Sequence, residues 1–83
     1  MMISADDVRE LLQNESPDAV LVVVEGRTAV IPQSDTESPE YRGALQVISR
    51  DDLLQRIGAD DLSDRVISEQ AAILDSTVSE LGG

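Results

Sequence analysis

The sequence predicts a small α+β domain with elements in the order α-β-β-β-α-α: an N-terminal helix, three mostly antiparallel strands, and two C-terminal helices packed on the sheet. Three observations carry this reading. Residues 19–24 are Ala-Val-Leu-Val-Val-Val, a β-branched run that is stiff at χ1 and suits a pleated sheet. Ile-Ser-x-Asp-Asp-apolar occurs at residues 3–8 and again at 48–53, each time with the Ser-x-x-acid pattern that starts a helix. Apolar residues between 62 and 81 recur at helical spacing.

Taken in order, residues 3–14 form the first helix. Ser4 is its N-cap, Asp7 closes a capping box, and Ile3 with Val8 makes the hydrophobic staple. Asp6 and Asp7 also suit the positive end of the helix dipole. After Pro17 comes the strand at 19–24, then Glu25-Gly26-Arg27 as a turn with Gly26 supplying positive φ. Thr28–Ile31 return as the second strand of a hairpin, ended by Pro32. Gln33–Glu40 is the one strongly polar stretch and reads as a mobile acidic loop too short to divide the chain, so residues 1–83 are expected to form a single domain. Ala44–Ile48 alternates as a half-exposed third strand. A short helix then runs from the second Ser-Arg-Asp-Asp start to about Ile57, with Gly58 just past its end. Asp60 or Asp61 is expected to cap a last helix reaching about Leu81. The repeated hexapeptide is read as two uses of one capping chemistry, because strands follow the first copy and a helix follows the second.

Composition narrows the function. The 83 residues carry 17 Asp and Glu against 6 Arg, no Lys and no His, for a net charge of −11. A nucleic-acid binder needs a basic stripe to neutralise phosphates, and an anionic membrane surface asks for the same, so direct binding to either is not expected. No apolar run approaches the ~20 residues of a membrane span, and the N-terminus lacks a charged and apolar leader pattern, so a soluble cytoplasmic protein is expected. The all-Arg, Asp-rich composition fits either salt adaptation or a GC-rich genome, the second being favoured.

Chemistry is equally constrained. Nine serines and three threonines have neither His nor Lys to activate them near neutral pH, and the single aromatic, Tyr41, is poor lining for a carboxylate-driven sugar site. No catalytic residue is assigned. Without Cys and His there is no zinc set, and the pairs Asp6-Asp7, Asp51-Asp52 and Asp60-Asp61 all fall at expected helix starts, where capping accounts for them. No metal, cofactor or calcium loop is read from the chain.

The first strand is the most informative feature for function. Val20, Val22 and Val24 point to one face of the sheet and Ala19, Leu21 and Val23 to the other, so both faces are apolar. Either the chain's helices cover both sides or a second copy covers one, and a homodimer through Val20, Val22 and Val24 is the favoured expectation. Arg27 at the turn and Tyr41 with Arg42 after the acidic stretch are the expected exposed anchors, since Tyr and Arg are enriched where interfaces concentrate their binding energy. The apolar stripe of residues 62–81 is read as packing on the chain's own sheet in preference to a coiled-coil seam.

Locally, Val-Ile-Ser-Arg-Asp-Asp-Leu-Leu-Gln-Arg-Ile at residues 47–57, following a helix and a hairpin, resembles the strand-to-helix ending of a CBS domain. The resemblance implies a sensor of adenosyl ligands. The acidic stretch 33–40 stands where that family has a tight turn, and the chain has room for one copy where the family works in pairs.

The expectation drawn from all this is a non-enzymatic protein acting through a protein interface, as a homodimer with an additional protein partner. Two other classes stay open: an acidic nucleic-acid mimic or antitoxin-like inhibitor of a basic partner, and a small-ligand sensor of the CBS kind.

Overall fold

A computed structural model describes residues 2–58 and 62–80. Its elements are α1 (Ala5–Gln13), β1 (Ala19–Val24), β2 (Arg27–Pro32), a 3-10 helix (Gln33–Glu37), β3 (Leu45–Ser49), α2 (Arg50–Ile57) and α3 (Asp64–Glu80). The expected α+β order holds. The sheet is antiparallel throughout, in the order β2-β1-β3, so the valine-rich strand is the central one.

Both helix starts form as the hexapeptide implies. The Ser4 side chain accepts the Asp7 N–H while the Asp7 carboxylate accepts the Ser4 N–H at 2.9 Å, completing the box. Ser49 caps α2 with the first half of this pattern, accepting the Asp52 N–H at 3.1 Å, without the reciprocal bond from Asp52. The staple residues Ile3, Val8, Ile48 and Leu53 are all buried. Gly58, at φ +76°, ends α2 with its N–H donating to the Leu54 carbonyl at 2.8 Å. α3 begins later than its spacing implies. Ser63 takes the capping role, accepting the Val66 N–H at 3.3 Å, whereas Asp60, Asp61 and Leu81 lie outside the described residues.

The three α-helices all lie on one face of the sheet. Ala19, Leu21 and Ile48 meet Val8, Leu11 and Leu12 of α1, Leu53 of α2, and the Ile67-Ala71-Leu74-Val78 stripe of α3 in the main core. α3 reaches this core mainly by packing on α1, not by lying across the sheet as its stripe suggests. Arg9 bridges the pair from Asp6 (2.9 Å) to Asp64 (3.1 Å), and the Asp75 carboxylate accepts the Met2 and Ile3 N–H groups at 2.8 and 3.0 Å. Only one stripe of α3 is therefore used; Leu62 and Ile73 remain exposed.

β3 departs from simple alternation. Leu21 pairs with Ile48 but Val22 pairs with Gln46, so Val47 is the extra residue of a β-bulge. Strict alternation would put Ile48 on the same face as Gln46. The bulge turns Leu45, Val47 and Ile48 all toward the helices and leaves Gln46, with Ser49 at the strand end, on the opposite face.

Candidate functional site

The face opposite the helices is where the residues singled out from the sequence converge. Val20, Val22 and Ile31 form a second, smaller core, and Ala29, Tyr41 and Ala44 pack against it. Its cover is the connection between β2 and β3. Gln33–Glu40, expected as an irregular loop, instead opens with the 3-10 helix, tied by Thr36 Oγ1 donating to the Gln33 carbonyl at 2.7 Å and Ser38 Oγ to the Asp35 carbonyl at 2.8 Å. Successive one-turn hydrogen bonds, Tyr41 N–H to Ser38 O at 3.1 Å and Ala44 N–H to Tyr41 O at 2.9 Å, then fold the chain back so that Tyr41 lands on the valines.

A homodimer through Val20, Val22 and Val24 was the favoured expectation, and these side chains are already covered within one chain. They are 1%, 0% and 8% exposed within a single chain. Over Val20 and Val22 the cover is the chain's own polar connection, because it carries the one large aromatic side chain and a small Ala three residues on. Of the six residues named as interface, only Arg27 and Arg42 are exposed, with Tyr41 half-buried. Arg27 pairs with Val24 at the hairpin end and so shares this face, and neither Arg27 nor Arg42 forms an ion pair among the described residues.

Two hollows flank Gln46 on this face. The larger, about 560 Å³, has Val22 at its floor and Tyr41, Arg42, Gly43 and Ala44 along one side, with Thr36 and Glu37 above. The smaller, about 320 Å³, runs past Val20, Gln33 and Ile48 to Ser49 and Asp52 at the start of α2. Gln46, Thr36 and Glu37 were not legible as site residues: the one sequence signal was the polarity of Gln46 within an apolar strand. A third hollow, of about 550 Å³, lies on the opposite side along α1 between Asp6, Arg9 and Glu15.

The acidic groups that make contacts do structural work. Asp7 accepts from Thr28 Oγ1 at 3.0 Å, linking α1 to β2, and Arg50 Nε donates to the Leu12 carbonyl at 3.2 Å, satisfying an end carbonyl of α1. The backbone N–H of Ile3, and then that of Met2, hold the Asp75 carboxyl below its ordinary value, against a smaller opposing effect of burial. Among the described residues no cluster of three or more His, Cys, Asp or Glu could hold a metal ion, and no helix is long and apolar enough to cross a membrane.

Compared with known protein families, curated proteins and solved structures, the chain matches none. The local resemblance of residues 47–57 to a CBS domain therefore gains no support from family comparison. In the fold they are the end of β3 joined to α2 through a serine cap.

Proposed function

We infer that the chain is a non-enzymatic protein–protein interaction module that self-associates and offers the sheet face opposite its helices to a protein partner. The observation that carries this reading is the larger hollow: an aromatic ring held in place by the chain's own turns, beside an exposed, unpaired arginine and an apolar floor. Tyr and Arg in that setting supply contact area at low conformational cost, with the remaining charge of the protein kept outside. The absence of His, Cys and Lys supports a role without catalysis.

The test is site-specific photo-crosslinking from position 42 or 46 in cells, with position 77 on the outer surface of α3 as the control. A protein captured from 42 and 46 but not from 77, and lost in Tyr41→Ala/Arg42→Glu, supports the reading. Equal capture from all three positions sinks it. A second reading, charge mimicry toward a basic partner, is supported by the placement of the acidic groups: among the described residues no charged side chain is buried. Salt separates the two. Binding through an apolar and aromatic surface survives high salt, whereas binding through unpaired carboxylates collapses over the range in which the screening length falls from ~10 Å to ~3 Å.

A further inference from the structure

The interaction-module reading leaves open how two copies meet, since the valine face is covered; the free edge of β2 answers this. The two sheet edges are unequal. β3 is interrupted by the bulge at Val47 and passes without a break into α2, a usual way of blunting an edge. β2 is regular over all six pairs with β1 and carries no charge between Thr28 and Pro32.

The phase of the ladder decides what that edge offers. Gln33 N–H donates to the Asp18 carbonyl at 3.1 Å, one step beyond the Ala19–Pro32 pair. In an antiparallel ladder bonded and non-bonded pairs alternate, so Ile31, Ala29 and Arg27 bond inward to β1. The N–H and C=O groups of Thr28 and Val30, and the C=O of Pro32, then face outward. Pro32, which has no N–H, stands at a position where a donor would have had no partner in the ladder with β1.

This edge is complementary to itself. Set antiparallel about a two-fold axis at Val30, each Val30 N–H meets the other copy's Val30 carbonyl, and each Thr28 N–H meets the other copy's Pro32 carbonyl. Every outward N–H of both strands is then used, and the missing N–H of Pro32 leaves one acceptor per strand, the Thr28 carbonyl, which water can fill. On the side chains, Val30 faces its counterpart and Ala29 faces Ile31, apolar against apolar. A register centred on Ala29 instead would set Arg27 against Ile31. We propose that two copies of this chain pair antiparallel through β2, centred on Val30, to make a continuous six-stranded sheet with the helices of both copies on one side. The proposal rests on the self-association in the reading above, but it leaves the hollow beside Tyr41 free for a different partner.

The test combines light scattering on a sizing column with residue-resolved amide exchange of the full chain at low and high salt. Each copy carries −11, so screening favours association, and the dimer is expected to tighten as NaCl rises. The Thr28 and Val30 amides should become protected as concentration increases, while the Ala29 and Ile31 amides are protected throughout. Val30→Pro removes an outward donor without touching the bonds to β1 and should raise the dimer Kd by about thirtyfold, the equivalent of two lost hydrogen bonds. Ala29→Lys, which places a charge against Ile31 at the edge, should weaken the dimer at least ~tenfold and serves if Val30→Pro does not fold. A monomer at both salts overturns the proposal, as does a dimer whose Thr28 and Val30 amides exchange freely. Crosslinking from position 42 or 46 in either of those cases leaves the partner-binding reading standing by itself.

Discussion

Glu25 is the only non-glycine residue with positive φ among the described residues, at 51°, and it is followed by Gly26 at 77°. Two consecutive left-handed residues between Val24 and Arg27 make the two-residue hairpin turn whose twist matches that of the strands. Gly26 adopts this without penalty, but Glu25 brings its Cβ against the following carbonyl, a strain of about 1–2 kcal/mol that Asn relieves in part. Glu25→Asn is therefore expected to stabilise the protein by about 0.5–1 kcal/mol, read as a higher urea midpoint at unchanged slope. Val22 is the opposite kind of position. It is fully buried beneath the Tyr41 turn, so Val22→Asp would enclose a carboxylate with no partner. For a domain whose whole stability is expected to be about 4–12 kcal/mol, that substitution should abolish cooperative folding, seen as loss of the thermal transition. A folded Val22→Asp monomer would mean that the 3-10 turn lifts away from the sheet and that the valines are an interface after all.

Among the elements, α3 is the most weakly anchored to the sheet, since it is held chiefly by α1 and by contacts to the N-terminal residues. One such tie is the pair of N–H bonds into Asp75 from Met2 and Ile3. Because these bonds favour the ionised carboxylate, the folded pKa lies below the ordinary 3.8. The stabilisation they bring is present above that ordinary value and is lost as pH falls through the lower, folded one. Asp75→Ala should thus lower Tm at pH 7, with the gap to the parent chain closing only below the ordinary carboxylate range. A gap independent of pH would place the effect in packing and not in the charge. The two serine caps show the same economy of chemistry in α1 and α2. In each, a serine hydroxyl oxygen accepts the backbone N–H of the Asp three residues on, and the staple pair behind it enters the main core.

For the whole molecule the dominant fact is charge. Seventeen acidic groups face six arginines, and the ion pairs found among the described residues involve only Arg9, half-buried but paired with exposed carboxylates, and exposed Arg65, a setting where such pairs contribute little. The unpaired carboxylates repel one another more in the folded state than in the expanded one. Tm is expected to rise with NaCl from ~10 mM to ~0.5 M, where the screening length falls well below the size of the domain. A flat profile in scanning calorimetry would mean that the acidic surface carries no net strain, and would favour genome composition over salt adaptation as the origin of the charge.

The local elements were determined by the amino-acid sequence on its own, because their causes are local. Ser-x-x-Asp starts a helix wherever it is followed by helical spacing. A valine run followed by a Gly turn makes a hairpin, and Gly58 ends a helix by adopting positive φ. The same locality makes the scarcity of cations and the lack of His and Cys readable without any coordinates. What covers the second face of β1 was decided only in the tertiary structure. The sequence showed that both faces of β1 had to be buried, but the polar stretch 33–40 gave no sign that its turns would deliver Tyr41 and Ala44 onto Val20 and Val22. The bulge at Val47 was invisible for a similar reason: alternation assumes one residue per step, and the core instead draws Leu45, Val47 and Ile48 to one side. The candidate site follows the same division. Tyr41, Arg42 and Arg27 were recognisable by residue type, whereas their gathering on one face beside Gln46, and the outward groups of Thr28 and Val30 along β2, depend on strand order and ladder phase. Those are set by contacts between residues far apart in the chain, which no local pattern encodes.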